Sequence, residues 1–248
     1  MRKKYFIISF FILIAYSILA ISMAFANHSN YKLYSPQNFP KGGINDAKEK
    51  ILFIVDFSNS MNEALGSRKK IDVAIQTLGE IIPKINPNIW LGLRVYGHRN
   101  GFTPYQSCTA SELVAPIQKQ NNSNIKYKLD GIQAKGWTPI TYSLKQAVNQ
   151  DFLGFTGMKR IILLSDGGEN CDESPCEYAI KLMQQRDDIK IDVIAFTVND
   201  LEANNQLKCV ALVTSGKFYT ANTAAELADS LLNSLNMEKD VQGVILQK

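Results

Sequence analysis

Three short segments of the sequence carry oxygen-bearing side chains that could act together. The segment DFSNS contributes Asp56, Ser58 and Ser60, and it follows directly on the apolar run ILFIV. Thr138 lies in the segment KGWTPI, and Asp166 follows a second apolar run in LLSDGGEN. Carboxylate and hydroxyl oxygens are ligands for hard divalent cations, and Mg²⁺ needs few of them because it keeps several waters. These residue types favour a cation site, provided that the fold brings the three segments together.

Each segment also has an ordinary explanation. Ser58 and Ser60 are common turn residues, and Asp166 could begin a turn at the two glycines that follow it. Thr138 could be only the N-cap of a helix in which Pro139 takes the first position. The choice between one site and three unrelated turns depends on where the strands and helices place these residues.

Six segments have the length and composition of β-strands. Most are apolar throughout, without polar alternation, which is typical of parallel strands covered on both faces. Pro116 indicates an edge position for its strand, because proline cannot donate a hydrogen bond to a neighbouring strand. The predicted strands are residues 51–55, 90–98, 112–117, 160–166, 190–198 and 217–221.

Helical patterns lie between most of these strands. Apolar residues from Ile71 to Ile82 recur at spacings of four, three and four, which places them on one face of a helix that ends near Pro83. Two of the later helices begin with a capping box, at Ser174 and at Thr223. The later predicted helices cover residues 139–152, 174–185, a segment ending near residue 216, and 223–237.

This alternation predicts a doubly wound, Rossmann-like α/β fold. We expect a mostly parallel six-stranded sheet with helices on both faces and one antiparallel edge strand. In such sheets ligands bind beyond the carboxyl ends of the strands. Asp56 and Asp166 both end predicted strands there, so the fold favours a site over unrelated turns.

The N-terminal 26 residues have the pattern of an export signal. Arg2, Lys3 and Lys4 precede an uncharged stretch that ends in Ala24-Phe25-Ala26, which is typical of a cleavable signal peptide. The alternative is an uncleaved membrane anchor, since the stretch is long enough to span a bilayer. In both cases we expect the rest of the chain to be exported, to a periplasm or the cell exterior.

The net charge of the remaining chain gives no reason to expect nucleic acid as a partner. The whole chain has 27 basic and 23 acidic residues. Removal of the three basic residues of the signal leaves 24 against 23, so the apparent basicity belongs mostly to the signal. We predict a polar linker over residues 27–46, one domain over 47–237 and a short tail over 238–248.

The four cysteines favour two disulfides, because their number is even and the chain carries an export signal. A zinc site is the weaker alternative. The sequence has no CxxC pair, and its only histidines are His28 and His98.

The motifs taken together resemble the von Willebrand factor A domain family. The resemblance rests on Asp-x-Ser-x-Ser after the first strand, a threonine before a middle helix and Asp-Gly after the fourth strand, and it covers residues ~47 to ~237. The segments YGHR, KGWTPI and SDGGENCDESPC are similar to those of exported bacterial members. The resemblance implies a metal-ion-dependent adhesion site, in which the following residues hold Mg²⁺ (or Mn²⁺ or Ca²⁺), some through water: Asp56, Ser58, Ser60, Thr138 and Asp166.

The resemblance implies binding of a protein partner whose Asp or Glu completes the metal shell, and it implies no catalysis. Trp137, His98 and Arg99 are candidate partner contacts near the same edge of the sheet, whereas Glu169 and Asp172 are interpreted as loop acids. Two alternatives remain. One is an exported metal-dependent hydrolase, which is disfavoured because Ser58 stands where phosphatase-like enzymes have a second aspartate and because GxSxG is absent. The other is a structural domain that the metal only stabilises.

The sheet order of the family also implies the disulfide pairing. In that order the helices after the fourth and fifth strands are neighbours on one face, which pairs Cys176 with Cys209. Cys108 then pairs with Cys171 beside the candidate metal loop. A local Cys171–Cys176 bridge is the alternative, since spacing alone does not fix connectivity.

Overall fold

A computed structural model of the chain describes residues 49–237, which form one six-stranded sheet flanked by helices. The predicted signal segment, the linker over 27–46 and the tail over 238–248 lie outside the described residues. All five predicted metal ligands lie within the described residues. The strands of the sheet are β1 (Lys50–Asp56), β2 (Trp90–Tyr96), β3 (Ser111–Gln118), β4 (Lys159–Ser165), β5 (Ile189–Phe196) and β6 (Phe218–Ala221).

The strand order is β3-β2-β1-β4-β5-β6. All neighbouring pairs are parallel except β2 and β3, which are antiparallel. Pro116 therefore lies in an edge strand, as its missing N–H donor requires. The predicted doubly wound fold with one antiparallel edge strand is confirmed.

Helices cover both faces of the sheet. On one face α1, α3 and α7 pack in one hydrophobic core, and on the other face α4, α5 and α6 pack in a second. The helices are α1 (Lys70–Ile81), α2 (Pro104–Cys108), α3 (Asn122–Asp130), α4 (Ile140–Gln146), α5 (Pro175–Met183), α6 (Leu201–Val213) and α7 (Ala224–Ser234).

The central strand β1 shows why its sequence is apolar throughout. Phe53 and Val55 belong to the core under α1 and α7, whereas Leu52 and Ile54 belong to the core under α4 and α5. Successive side chains of a strand point to opposite faces, so a strand covered on both faces buries every residue. Burial of each large apolar side chain stabilises the fold by roughly 1.5–3 kcal/mol. This burial holds the end of β1, and with it Asp56, in a fixed position.

The helix predicted over residues 139–152 differs from the structure in two ways. Its α-helical part is only Ile140–Gln146, and a π-helical turn follows over Ala147–Asp151. Pro139 is the N-cap, with φ −80° and ψ 68°, so Thr138 is not the cap. The end of the π turn is fixed by Asp151, whose carboxylate accepts hydrogen bonds from two nitrogens of Arg94 at 2.6 and 2.7 Å.

Several short elements were not expected from the sequence. Helix α3 presents few apolar side chains, among them the buried Ile125 and Leu129, so its periodic pattern is weak. A two-residue ribbon pairs Ala64–Leu65 with Arg68–Lys69 just before α1. Within residues 49–237 no helix is both long enough and apolar enough to cross a membrane.

Candidate metal centre

Asp56 lies at the carboxyl end of β1, completely buried, and its two oxygens have different partners. Oδ1 accepts a hydrogen bond from the backbone N–H of Ser58 at 2.7 Å, which closes the turn of the DFSNS segment. Oδ2 accepts from the hydroxyl of Ser165 at 2.7 Å and from that of Tyr96 at 3.0 Å. These bonds from β2 and β4 fix the orientation of the Asp56 carboxylate.

A chain of hydrogen bonds connects the first and third predicted segments. The hydroxyl oxygens of Ser58 and Ser60 are 2.9 Å apart, and Ser60 Oγ donates to Asp166 Oδ1 at 2.7 Å. Ser60 reaches Asp166 because a 3₁₀ turn over Asn59–Asn62 reverses the chain immediately after Ser58. The structure therefore brings together four of the five predicted ligands: Asp56, Ser58, Ser60 and Asp166.

Thr138, the fifth predicted ligand, lies on a loop that pairs with the same turn. Ser58 forms an isolated parallel bridge with Gly136, and the N–H of Asn59 donates to the Gly136 carbonyl at 2.9 Å. Thr138 itself is buried, and its N–H donates to Asn170 Oδ1 at 2.7 Å. These backbone contacts place Thr138 beside the cluster, between the DFSNS turn and the loop after β4.

Gly97 makes the close approach of these loops possible. It has a φ of +70°, and a Cβ at this position would lie 2.6 Å from both Ser58 N and Trp137 O. Any larger residue would push the DFSNS turn away from the loop that carries Thr138.

Lys70, at the start of α1, is a member of the cluster that sequence reasoning missed. Its ammonium donates to Asp166 Oδ2 at 3.0 Å and to Glu63 Oε2 at 2.7 Å. Burial alone would lower the pKa of Lys70, but its bonds to Glu63 and Asp166 outweigh this and raise the pKa above its usual value. A charged ammonium therefore lies against the second oxygen of Asp166.

The carboxylates of Asp56 and Asp166 are buried without a full complement of positive charge. Burial, and then repulsion by Asp166, raise the pKa of Asp56 to about 6. Burial also raises the pKa of Asp166, although its hydrogen bonds to Ser60 and Lys70 oppose the change. Both shifts show that the cluster holds negative charge at a cost, and a bound cation would remove that cost. The donor chemistry and the charge fit a hard divalent cation.

The hydroxyl groups are essential to any metal site here. Across residues 49–237, His, Cys, Asp and Glu side chains form no group of three or more that could hold a metal ion. The candidate site has two carboxylates, and its other oxygen donors are the hydroxyls of serine and threonine.

Three consecutive residues in the loop after β4, which are Glu169, Asn170 and Cys171, contact three different parts of the fold. Glu169 accepts from the N–H of Thr141 at 2.7 Å, in the first turn of α4, and from that of Cys171 at 3.0 Å. Asn170 holds Thr138, as described above, and Cys171 is bonded to Cys108. Glu169 is thus an acid of the loop after β4, as expected, and it is partly buried and accepts hydrogen bonds from two backbone N–H groups.

The two disulfides are Cys108–Cys171 and Cys176–Cys209, which are the pairs that the family's sheet order implies. The first joins the last residue of α2 to the loop after β4, beside the candidate site. The second joins α5 to α6 on one face of the sheet. In the described part of the chain no cysteine is free.

The three candidate partner contacts differ in their surroundings. Trp137 is 39% exposed next to Thr138, so its ring is available to a partner. His98 Nε2 instead lies 3.2 Å from Glu112 on β3, and the exposed Arg99 lies 3.7 Å from the same carboxylate. Burial, followed by repulsion from Arg99, lowers the pKa of His98.

Comparison with known proteins gives one family match and several relatives. The model of the von Willebrand factor type A domain matches residues 50–233. Protein YwmD of Bacillus subtilis is 28% identical over 188 residues, which cover 73% of this chain and 82% of that protein.

Two solved structures show the same fold at low sequence identity. Proximal thread matrix protein 1 of the mussel byssus, described with a zinc-occupied MIDAS motif, has a TM-score of 0.59 at 18% identity, over 76% of this chain and 45% of that chain. The pilus adhesin SpaC of Lactobacillus rhamnosus GG has a TM-score of 0.59 at 13% identity, over 80% of this chain and 31% of that chain.

Proposed function

Because the chain belongs to the von Willebrand factor type A domain family, we propose that it is an exported interaction protein that works through a bound divalent cation. The cation is held by Asp56, Ser58, Ser60, Thr138 and Asp166. A protein partner supplies an Asp or Glu that completes the metal shell. Mg²⁺ is the preferred ion, with Mn²⁺ and Ca²⁺ as alternatives.

One observation carries the proposal: the hydroxyl of Ser60 joins Ser58 to Asp166 across two loops. This contact joins two of the three separated sequence segments into one group of oxygen atoms at the carboxyl edge of the sheet. A bound cation would supply a Lewis-acidic position open to a partner's carboxylate. Such a contact, desolvated at the centre of an interface, is a strong determinant of binding.

The residues around the ligands orient them and add contact area. Tyr96 and Ser165 fix the Asp56 carboxylate, and Asn170 fixes the backbone of Thr138. The exposed ring of Trp137 lies at the edge of the site, where we propose that it packs against the partner. Arg99 is exposed at the same edge and is the second proposed contact.

We propose binding and no catalysis. His98, the histidine closest in sequence to the end of β2, pairs with Glu112 on β3. Tyr96 and Ser165 are buried and both donate toward Asp56. These side chains support the metal ligand, so they are poorly placed to act on a substrate.

Calorimetric titration of the exported protein with Mg²⁺ and Mn²⁺ tests the proposal. We expect one site in the wild type and none in Asp56→Ala, whereas Asp72→Ala, which removes an exposed carboxylate of α1, should bind as the wild type does. Ser60→Ala should weaken binding by about tenfold, since it removes one ligand and the bridge to Asp166.

A second titration with acetate present distinguishes a weak site from no site. Acetate can take the position of the partner's carboxylate. If neither metal binds to the wild type with or without acetate, the proposed function is wrong.

A further inference from the structure

The position of Lys70 gives the candidate site a charge that its ligand set alone would not have. The Lys70 side chain is only 8% exposed and its ammonium lies 3.0 Å from Asp166 Oδ2, while the Asp166 side chain is completely buried. Ser60 occupies the other oxygen of Asp166, on the side of Asp56 and Ser58. The two oxygens of Asp166 are thus divided between an internal cation and the hydroxyl groups of the site.

The buried charged groups of the candidate site are Asp56, Asp166 and Lys70, and the sum of their charges is −1. Glu63 also contacts Lys70, but its side chain is 64% exposed, so water screens its charge. With a divalent cation bound, the buried charge becomes +1. Without Lys70 the two carboxylates would neutralise the cation completely, and an additional anion would gain little.

We infer that Lys70 sets the charge of the site so that the metal-loaded protein selects an anionic carboxylate. This inference rests on the proposed function. Lys70 makes the cation bind less tightly by itself and makes the loaded site attract a carboxylate more strongly. Without the charge of Lys70, the site would bind the metal more tightly but would hold a partner's carboxylate more weakly.

The inference predicts opposite changes in two affinities. In Lys70→Met, which keeps the length of the side chain and removes the charge, Mg²⁺ should bind about tenfold more tightly or better. Acetate should bind the Mg²⁺-saturated variant about tenfold more weakly. A purely structural role for Lys70, holding Asp166 in place, would weaken both affinities.

Lys69→Met is the matched control. Lys69 is exposed, and its ammonium lies 3.4 Å from Asn62 Oδ1, so its substitution removes the same charge from the chain without altering the contacts of Asp166. Both affinities in this control should equal those of the wild type within the error of the measurement, because exposed charges are screened.

Glu63→Gln tests the inference even if Lys70→Met fails to fold. This exposed substitution leaves the ammonium facing Asp166 without its second acidic partner. Mg²⁺ should bind about twofold more weakly, and acetate should bind the loaded site about twofold more tightly.

Calorimetry of the exported protein, with sodium chloride matching the ionic strength of acetate, measures both affinities. If Lys70→Met changes both in the same direction, or changes neither, the inference is wrong. The same holds if Glu63→Gln leaves both affinities unchanged. A wild type that binds no metal in either buffer refutes the proposed function instead, so the two failures are distinguishable.

Discussion

Ser60 and Asp166 are 106 residues apart in the chain, and the hydroxyl of Ser60 donates to Asp166 Oδ1 at 2.7 Å. The contact exists because the neighbouring parallel strands β1 and β4 end at the same edge of the sheet. A single hydroxyl therefore ties the first and the last segment of the candidate site together.

Substitution of Asp56 by asparagine should stabilise the metal-free protein at pH 7 while it abolishes metal binding. The folded-state pKa of Asp56 is about 6, above its usual 3.8, so the wild type loses stability as the pH rises from about 4 to about 6. The loss is about 2–3 kcal/mol at 1.36 kcal/mol per pKa unit. Asparagine does not titrate, so the Asp56→Asn variant avoids this loss of stability.

Urea unfolding in the presence of a chelator, at pH 4.5 and pH 7, measures this difference. The advantage of Asp56→Asn over the wild type should be larger at pH 7. Equal advantages at both pH values would show that the charge of Asp56 is not buried at a cost.

Loss of the Cys108–Cys171 disulfide should weaken metal binding, whereas loss of Cys176–Cys209 should not. Both cost stability, roughly 2–4 kcal/mol each. The first also releases the loop that carries Asn170, which holds Thr138. Paired Cys→Ser variants, compared by Mg²⁺ titration and thermal unfolding, provide each other's control.

Gly97→Ala should lower both stability and metal affinity. The added Cβ would meet Ser58 N and Trp137 O at 2.6 Å, at a residue with φ +70°. We expect a loss of about 1–3 kcal/mol in the free energy of unfolding. Gly154→Ala is the control, because Gly154 has a φ of +83° and open space around it. Metal affinity should fall in the first variant and stay unchanged in the second.

Arg94→Met should destabilise the fold without changing the affinity for Mg²⁺. Arg94 and Asp151 form a buried pair with two hydrogen bonds, and removal of one partner from such a pair costs about 3–5 kcal/mol. Adding Asp151→Leu should restore part of the loss, since it removes the unpaired carboxylate. Chemical unfolding checks the stability, and unchanged Mg²⁺ affinity in the folded variants shows that the pair is separate from the site.

The fold was predictable because its strands are buried on both faces and are therefore apolar throughout. Asp56 and Asp166 were predictable as site residues for the same reason, since each interrupts an apolar run where its strand ends. Metal binding by these residues stays a prediction.

The supporting residues were less predictable, because they depend on side chains that meet across the sheet. Tyr96 and Ser165 end β2 and β4, and their hydroxyls contact each other as well as Asp56. The sequence does give one indication of Lys70: it lies four residues before Ala74, on the buried face of α1. A lysine in such a position needs an acidic partner, although the sequence does not say which of the acidic residues it is.

The run from Glu169 to Cys171 acts as a mechanical junction. Its three side chains hold the first turn of α4, the backbone of Thr138 and the end of α2. It begins three residues after Asp166, so only a short stretch of backbone separates that carboxylate from the three contacts. A displacement of Asp166 should therefore strain all three contacts together.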